Sequence, residues 1–260
     1  MFTFYKYHGA GNDFIIVHNS KLDFNDNSRH VHALCHRRTG IGADGLILIN
    51  PTQKKGIDFE MRYFNADGYE GSMCGNGGRC AIAFAKKSGI IQNKTYFLGV
   101  DGMHQGFIIN ENGNEVEVSL QMINVDSITP FENAYYLDTG SPHVVSFVDD
   151  IANYDVIGEG KRIRHHKNFP QGTNVNFVEI KEDHIFVRTF ERGVEDETLS
   201  CGTGVTASSL AYSLLHPCHE VKVKTRGGNF KVTFEKEDTA FTNIMLQGPT
   251  CCVFEGRLDL

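Results

Sequence analysis

Arg62-Tyr63-Phe64-Asn65 followed by Cys74-Gly75-Asn76-Gly77 is the stretch that decides the fold, because the chain contains it in two similar copies. The second copy reads Arg188-Thr189-Phe190-Glu191 followed by Cys201-Gly202-Thr203-Gly204. The spacing from Phe to Cys is 10 residues in the first copy and 11 in the second. An internal repeat of this kind predicts two halves of similar build.

A second pair of similar segments lies upstream of these copies. Residues 11–17, Gly-Asn-Asp-Phe-Ile-Ile-Val, resemble residues 173–178, Thr-Asn-Val-Asn-Phe-Val, and each has an asparagine at the head of an apolar run. We therefore predict one domain over residues 1–117 and a second domain over residues 118–249. The predicted boundary falls in the acidic, turn-rich stretch 108–127, where no Pro- or Ser-rich linker marks it.

Strand content is predicted to exceed helix content. Apolar or alternating runs bounded by Gly, Asn and Asp turns predict strands at residues 45–49, 115–120, 185–190 and 230–234. Helices are predicted after the two cysteine–glycine segments, at about Gly78–Ser88 and about Val205–His216. Both segments are apolar on most sides, as is typical of helices buried inside a fold. The predicted fold class is therefore α/β (α+β).

The composition and charge of the chain indicate which class of molecule it binds. The chain has 260 residues, is 40% hydrophobic and carries a formal net charge of −7 without a basic block. It therefore has no electrostatic footprint for nucleic acid or for an anionic membrane, and a small-molecule substrate is expected. No run approaches the roughly 20 apolar residues of a membrane span, and residues 1–7 lack a signal-peptide pattern. We predict a cytoplasmic location.

Two of the seven cysteines have a distinctive setting. Because the cysteine count is odd and the chain is long and shows no signal-peptide pattern, its thiols are expected to be reduced. Cys74 and Cys201 each precede a glycine-rich segment and a helix, where amide N–H groups and the positive end of the helix dipole favour a thiolate. Such thiols suit general acid–base catalysis, and the glycines allow the backbone to approach a carboxylate closely. Because inversion of a stereocentre needs two acid–base groups, we predict a two-sided site on one carbon acid.

The same residue types occur in other kinds of functional site. Zinc is not expected, because no Cys-x-x-Cys pair accompanies the 12 His and 7 Cys residues. A dinucleotide site is not expected at Gly40–Gly45, where the glycine spacing is wrong and a strand follows. His165 and His166 lie in the basic run 161–167, for which we predict a solvated loop. A cysteine hydrolase that uses His143 as its base remains an alternative.

Motifs along nearly the whole chain resemble the diaminopimelate epimerase family. In chain order they are His8-Gly9-Ala10-Gly11-Asn12-Asp13-Phe14, Thr39-Gly40-Ile41-Gly42-Ala43-Asp44-Gly45, Phe64-Asn65-Ala66-Asp67-Gly68, Cys74-Gly75-Asn76-Gly77-Gly78-Arg79, Gly140-Ser141-Pro142-His143, Thr173-Asn174-Val175-Asn176-Phe177, Glu191-Arg192-Gly193 and Cys201-Gly202-Thr203-Gly204. The resemblance implies an isomerase that interconverts LL- and meso-2,6-diaminopimelate in lysine and peptidoglycan precursor biosynthesis, without pyridoxal phosphate or another cofactor.

The resemblance also implies an architecture. It predicts two pseudo-symmetric domains, each a mixed sheet wrapped around a central helix, with the active site in the cleft between them. Residues 250–260 are expected to return to the first domain. The oligomeric state is left open between a monomer and a homodimer.

The resemblance assigns roles to individual residues. It implies that Cys74 and Cys201 are the acid–base catalysts, one as thiolate and the other as thiol, with roles exchanged by reaction direction. The residues that it implies hold the α-carboxylate at the reacting centre are Gly75, Asn76, Gly202 and Thr203. The residues that it implies hold the two ends of the substrate are Asn12, Asn65, Asn174, Glu191 and Arg192. No metal ligand is implied. The chemistry agrees, because Arg192 can fork onto a carboxylate and Glu191 can pair with an ammonium group.

Two positions depart from the family pattern. Ser141 stands where the family commonly has Asn, and a hydroxyl lacks the reach and the two donors of an amide. Tyr69 stands where the family usually has Ser, and we expect it to fill space beside the loop before Cys74. Proline or hydroxyproline racemases are the nearest alternative, which Arg192 and the several asparagines disfavour. A non-catalytic relative of the same fold is a further alternative, and it would lack one cysteine of the pair.

Overall fold

The computed structural model describes residues 2–258, which form two compact units. Within the described residues, the first unit comprises residues 2–120 with 248–258, and the second is Gln121–Gln247. The predicted ranges were 1–117 with 250–260, and 118–249. Most of the predicted boundary stretch, residues 108–127, lies in a β-hairpin.

Within residues 2–258 the chain forms sixteen strands and four helices. The elements of the first unit are β1 (Phe2–Gly9), β2 (Asn12–His18), α1 (Ser28–Cys35), β3 (Gly45–Asn50), β4 (Phe59–Asn65), α2 (Gly75–Lys87), β5 (Lys94–Gly99), β6 (Gly102–Asn112) and β7 (Glu115–Gln121). Those of the second unit are β8 (Thr129–Phe131), β9 (Ala134–Asp138), β10 (Pro142–Phe147), α3 (Val156–Arg164), β11 (Asn174–Ile180), β12 (Ile185–Glu191), β13 (Asp196–Thr198), α4 (Gly202–Leu215), β14 (Glu220–Lys224) and β15 (Asn229–Glu237). The last strand, β16 (Ala240–Leu258), runs from the second unit into the first.

In the first unit the sheet closes on itself around α2. The strand order is β1-β2-β3-β4-β5-β6-β7-β16, and β16 pairs again with β1. The pairs β2–β3 and β4–β5 are parallel. α2 is buried from Gly75 to Ala85 and packs against β1, β2, β3, β4 and β6. β3 is buried at every residue because α2 covers one of its faces and α1 covers the other.

The second unit likewise arranges its strands around a central helix, α4. Its strand order is β8-β9-β10-β11-β12-β14-β15-β16, with β13 paired to β12. The pairs β10–β11 and β12–β14 are parallel. α4 packs against β9, β10, β11, β12, β14 and β15, and α3 packs against β11 and β12. The predicted α/β class, with a mixed sheet around a central helix in each of two similar units, is confirmed.

The four predicted strands are confirmed as β3, β7, β12 and part of β15. The predicted helix starts, Gly78 and Val205, were wrong by three residues, because α2 begins at Gly75 and α4 begins at Gly202. Glycine has a weak helix preference, but here the buried position of the first turn outweighs it. Gly89 closes α2 with a positive φ of 73°, as a residue just past a helix end commonly does.

The upstream segments of the repeat were paired wrongly. The first unit runs β2-α1-β3-β4-α2 with β2 and β3 parallel, and the second runs β10-α3-β11-β12-α4 with β10 and β11 parallel. The counterpart of β2 is therefore β10, and the counterpart of β11 is β3. Asn12 begins β2 and Asn174 begins β11, so the two asparagines are not equivalent. Both segments show an asparagine before an apolar run, a pattern that does not specify which strands are neighbours.

The basic run 161–167 is not a loop throughout. Lys161, Arg162 and Arg164 belong to the last turn of α3, where positive side chains suit the negative end of the helix dipole. His165 follows as the residue that ends the helix, and its side chain is 64% exposed. None of the helices formed by residues 2–258 has the length and apolar character that a membrane crossing needs.

Candidate active site

Cys74 is the N-cap residue of α2. Its backbone is extended, with φ −104° and ψ 120°, and its sulfur accepts a hydrogen bond of 3.5 Å from the backbone N–H of Gly77. The first amide N–H groups of the helix and the positive end of its dipole therefore lie at this sulfur. Cys74 is half-buried, whereas the helix residues that follow are buried. Such a setting favours the thiolate form of a cysteine.

Asn12 connects Cys74 to a carboxylate. Nδ2 of Asn12 donates to Oδ2 of Asp44 over 2.8 Å. Because a carboxylate only accepts hydrogen bonds, the amide oxygen of Asn12 must point away from Asp44. That oxygen accepts a hydrogen bond from the thiol of Cys74 over 3.7 Å and another from Nδ2 of Asn76 over 3.3 Å. Three predicted site residues, Asn12, Cys74 and Asn76, therefore meet at the N-terminus of α2.

Asp44 is held by a group of charges at the heads of β2 and β3. Arg37 donates to Asp44 over 2.5 Å and to the two carboxylate oxygens of Asp13 over 2.7 and 3.1 Å. Lys6 lies 2.7 Å from Asp13. Burial disfavours the ionised form of Asp13, but Arg37 and Lys6 outweigh it and hold the pKa of this carboxyl below its usual range. The charged network keeps Asn12 in one orientation.

Asn65 lies at the same edge of the sheet as Asn12. β3 begins at Gly45 beside Phe14 of β2, and β4 ends at Asn65 opposite Gly45. Asn65 is exposed and opens a turn in which its backbone N–H donates to the carbonyl of Tyr69. Tyr69 is 67% exposed, so the expectation that it fills space beside this loop was wrong.

Cys201 is the N-cap residue of α4, with φ −126° and ψ 115°. It is buried, at 8% exposure. Its sulfur lies 3.3 Å from the hydroxyl oxygen of Thr203. The same hydroxyl lies 2.9 Å from Nε2 of His143 and 3.2 Å from the hydroxyl of Ser141. Cys201 is thus adjacent to a cluster of uncharged polar side chains.

His143 is buried and stays neutral near pH 7. Burial, together with the charge of Arg192, lowers the pKa of His143 to about 3. Nδ1 of the ring accepts from Nδ2 of Asn176 over 2.9 Å, and Oδ1 of Asn176 accepts from the hydroxyl of Thr189. The ring proton therefore resides on Nε2, from which it can be donated to Thr203. An imidazole that resists protonation is a poor general base, which weakens the cysteine hydrolase alternative.

Asn174 is hydrogen-bonded to the turn that follows β12 and contains Arg192. Its Nδ2 donates to the hydroxyl of Ser141 over 3.2 Å and to the carbonyl of Pro142 over 3.0 Å. Its Oδ1 accepts from the backbone N–H of Arg192 over 2.9 Å. Glu191 ends β12, and both Glu191 and Arg192 are half-buried. Ser141, the departure from the family pattern, is therefore part of this bonded network.

In each unit the predicted site residues lie at strand ends, in the turn after a strand, or at the start of the central helix. In the first unit they are Asn12, Asn65, Cys74, Gly75 and Asn76, and in the second they are Asn174, Glu191, Arg192, Cys201, Gly202 and Thr203. Sequence reasoning missed the residues that support them, which are Arg37, Asp44, Arg79, Asn176 and Thr189. The signal that could have found Asn176 is a polar residue within an apolar strand, because a buried amide must be hydrogen-bonded. Within residues 2–258, no group of three or more His, Cys, Asp or Glu side chains is placed to hold a metal ion.

Solved structures define the class of fold. The chain is similar to a PhzF family phenazine biosynthesis protein from Bacillus anthracis, with a TM-score of 0.78, 15% identity and coverage of 100% of this chain and 99% of that one. It is also similar to a probable proline racemase from Agrobacterium radiobacter, with a TM-score of 0.70, 16% identity and coverage of 100% and 93%. The class is therefore the two-unit α/β fold of these proteins.

Sequence comparison identifies the family within that class. The family model described as diaminopimelate epimerase matches residues 4–124 and 135–252. The diaminopimelate epimerase of Flavobacterium psychrophilum is 47% identical over 256 residues, which cover 96% of this chain and 98% of the relative. That of Chlorobaculum tepidum is 42% identical, with coverage of 97% and 99%. The chain belongs to the diaminopimelate epimerase family, as its motifs predicted, and is an isomerase.

Proposed function

We propose that the chain interconverts LL-2,6-diaminopimelate and meso-2,6-diaminopimelate by a two-base mechanism in which Cys74 and Cys201 are the acid and the base. The observation that carries the proposal is that each unit presents one cysteine as the N-cap of its buried central helix. Family membership supports the choice of substrate, and with it a place in lysine and peptidoglycan precursor biosynthesis. A thiol–thiolate pair needs a reducing compartment, which supports a cytoplasmic location.

In the proposed reaction one cysteine, as thiolate, removes the proton from the α-carbon. The electron pair left on carbon is delocalised into the α-carboxylate, which gains enediolate character. The other cysteine, as thiol, donates its proton to the opposite face of the carbon and becomes the thiolate. The stereocentre is inverted without gain or loss of atoms, and the reverse reaction exchanges the two roles.

The proposed site must stabilise the negative charge that develops on the carboxylate. Backbone N–H groups of Gly75, Asn76, Gly202 and Thr203 are suited to this, because the first amides of a helix have no partner within the helix. Donors fixed before the reaction act most strongly where water is excluded. The burial of Gly75, Asn76 and Gly202 supports this assignment.

The proposed clamp on the rest of the substrate consists of Asn12, Asn65, Asn174, Glu191 and Arg192. A guanidinium can make two parallel hydrogen bonds to the distal carboxylate, and Glu191 can pair with the distal ammonium. The bond between Asn174 and the backbone of Arg192 supports a fixed position for that turn. Asn12 begins β2 and Asn65 ends β4 at the same end of the sheet, and Asn12 is hydrogen-bonded to Cys74.

The test is incubation of the fully reduced chain with LL-diaminopimelate in deuterium oxide without added cofactor. We expect loss of the α-proton NMR signal together with appearance of the meso isomer. Proline and trans-4-hydroxyproline serve as control substrates, because they carry a single carboxylate. An absence of exchange with diaminopimelate would contradict the proposal, and exchange with proline alone would favour the racemase alternative.

A further inference from the structure

Residues 192–195 form the loop of a β-hairpin in the second unit, here called the hairpin loop. β12 ends at Glu191 and pairs with β13 on the other side of this loop. The backbone N–H of Glu195 donates to the carbonyl of Glu191 over 2.8 Å, which closes the turn. The loop carries Arg192 of the proposed clamp, and β13 leads on to Cys201. The conformation of the hairpin loop therefore determines where Arg192 lies.

The hairpin loop has a backbone that needs support. Gly193 has a φ of 93° and Glu195 has a φ of 60°. Glycine adopts such a left-handed conformation readily, whereas a residue with a side chain keeps it only when its surroundings hold it there. The side chain of Glu195 provides one contact, because its Oε1 accepts from the backbone N–H of Gly193 over 3.1 Å. The carboxylate of Glu195 thus fixes the loop from within.

Arg164, the last residue of α3, holds this carboxylate from outside the loop. Its Nε donates to Oε1 of Glu195 over 3.0 Å, and its Nη2 lies 3.0 Å from the same oxygen. The side chain of Arg164 is only 16% exposed. Gly172 leaves the space that the guanidinium occupies, since a Cβ at that position would lie 1.3 Å from Nη1. The ion pair is therefore built into the packing between α3 and the hairpin loop.

His165 does not replace Arg164 at this carboxylate. Its Nε2 lies 3.5 Å from Oε2 of Glu195, but its side chain is 64% exposed and carries a charge only when it is protonated. Arg164 is always charged. Among residues 2–258, Glu195 has no further cationic partner.

Arg192 stands three positions before Glu195 and is left open by this arrangement. Its backbone N–H is bonded to Asn174, and the residue is half-buried. Within residues 2–258 its guanidinium forms no ion pair with a carboxylate. A released Glu195 could reach this guanidinium from within the same loop. It would then occupy the position that we propose for the distal carboxylate of the substrate.

The stem of the hairpin is secured without Arg164. Arg188 of β12 makes two parallel hydrogen bonds to Glu197 of β13, over 2.7 and 2.6 Å. Arg226 lies 3.1 Å from the same carboxylate. The contact of Arg164 with Glu195 therefore acts on the hairpin loop and not on the pairing of β12 with β13.

We infer that Arg164 is a positioning residue that, by holding the carboxylate of Glu195, keeps the guanidinium of Arg192 open to a carboxylate of the substrate. The inference deepens the proposed function and rests on it for the identity of that carboxylate. Glu195 supports the loop while Arg164 holds it and competes with the substrate once Arg164 is removed. Loss of Arg164 should therefore impair binding more than loss of the Glu195 charge.

The test compares the kinetic constants for diaminopimelate among variants of the reduced full-length chain. Arg164→Met should raise KM about fivefold, because a partly exposed ion pair between Glu195 and Arg192 reduces the fraction of molecules that can bind. Glu195→Gln removes the competing charge and should raise KM less than about twofold. The double variant Arg164→Met/Glu195→Gln should have the KM of Glu195→Gln. We expect kcat to stay within about twofold of the wild type throughout, since the loss is one of binding.

Arg226→Met is the matched control. It removes an arginine from a carboxylate of the same hairpin, but Glu197 keeps its two bonds to Arg188. Its KM should equal that of the wild type. The inference is overturned if Arg164→Met has an unchanged KM. It is also overturned if the double variant binds no better than Arg164→Met, because Arg164 would then have a structural role only.

Glu195→Asp decides if Arg164→Met fails to fold. Aspartate keeps the charge, but its side chain is shorter and falls short of Arg164, so the carboxylate is released within the loop. Its KM should then exceed that of Glu195→Gln. An equal or lower KM would overturn the inference.

A measurement without substrate separates this inference from the proposed function. Amide hydrogen exchange of the free chain, followed by NMR, should be faster at Gly193 in Arg164→Met than in the wild type, because the acceptor Oε1 of Glu195 is no longer held. Arg226→Met should leave this exchange unchanged. Unchanged exchange in folded Arg164→Met would contradict the inference. Faster exchange in a chain that does not act on diaminopimelate would sink the proposed function and keep the role of Arg164 in holding the loop.

Discussion

The starts of α2 and α4 share a backbone plan but differ in the side chains that surround their sulfurs. Cys74 is half-buried, with a carboxylate network one asparagine away and a buried arginine within its helix. Cys201 is 8% exposed and lies beside the hydroxyl of Thr203, which is bonded to the neutral ring of His143. The repeat thus determines where each sulfur lies, whereas the flanking strands determine its electrostatic setting.

The difference follows from what can be buried. Uncharged polar groups can enter a core when they bond to one another, whereas charges need partners or contact with water. The charged group of the first unit accordingly keeps Arg37 and Asp44 partly exposed, with side chains 58% and 42% accessible. In the second unit Asn176, Thr189 and His143 are bonded together and fully buried. The two helix starts therefore share a backbone plan but differ in the charge of the side chains around them.

The largest expected effect is the loss of epimerase activity when either Cys74 or Cys201 is replaced. Cys74→Ala and Cys201→Ala should each reduce kcat for epimerisation by at least about 10²- to 10⁴-fold, the usual contribution of one acid–base group. The measurement is conversion of LL- to meso-diaminopimelate by chiral chromatography. Alanine in place of the half-buried Cys218, which lies outside the proposed site, is the control and should retain activity. Substantial epimerisation by either active-site variant would mean that the two regions do not act as a pair.

The next effect concerns the second unit alone. Arg192→Met should lower kcat/KM for diaminopimelate by about 10- to 150-fold, because a hydrogen bond to a charged group contributes about 1.5–3 kcal/mol. The loss should appear mainly in KM if Arg192 holds the distal carboxylate. Arg162→Met, at an exposed ion pair of α3, is the control and should change neither constant. An unchanged KM for Arg192→Met would remove this residue from the proposed clamp.

The comparison also shows which features the sequence could predict. The cysteine–glycine repeat is local and contiguous, so it predicted both central helices and the two-unit plan. The pairing of Asn12 with Asn174 failed, because strand partners are set by tertiary contacts that a short apolar pattern does not specify. The supports were missed for a similar reason. Asp44 is hydrogen-bonded to Asn12, 32 positions away in the sequence, and Asn176 to His143, 33 positions away. Neither local sequence predicts these contacts.

A smaller effect is expected from Thr203, whose hydroxyl lies beside Cys201 in the second unit. Thr203→Val keeps the shape of the side chain but removes the hydroxyl beside Cys201 and leaves Nε2 of buried His143 without that acceptor. We expect kcat to fall about tenfold and the alkylation of Cys201 to require higher pH, since a lost buried bond costs about 1–3 kcal/mol. Ser141→Ala removes a hydroxyl from the same cluster without touching the bond to sulfur, and should cost less. Equal losses in the two variants would mean that the bond to sulfur contributes nothing specific.

The smallest expected effect is the change in the free energy of unfolding that His143, in the second unit, causes in mild acid. The imidazole of an unfolded chain has a pKa of about 6.5, whereas burial lowers the pKa of His143 in the folded chain to about 3. Between these values the unfolded state binds a proton that the folded state does not. The free energy of unfolding therefore rises with pH up to about 6.5, and the stabilisation that His143 contributes is lost progressively as the pH falls below that value. For this residue the loss from about pH 7 to about pH 5.5 amounts to about 1 kcal/mol.

His143→Gln cannot take up that proton, so its urea unfolding midpoint should fall less than that of the wild type over the same interval. His165→Gln, at an exposed position, is the control and should follow the wild type. The first unit contributes little to this interval through Asp13, whose depressed pKa means that its stabilising charge is lost only in stronger acid, below the ordinary value of about 3.9. An identical pH response in wild type and His143→Gln would show that burial does not lower the pKa of this imidazole, and would undo the assignment of a neutral His143 to the cluster beside Cys201.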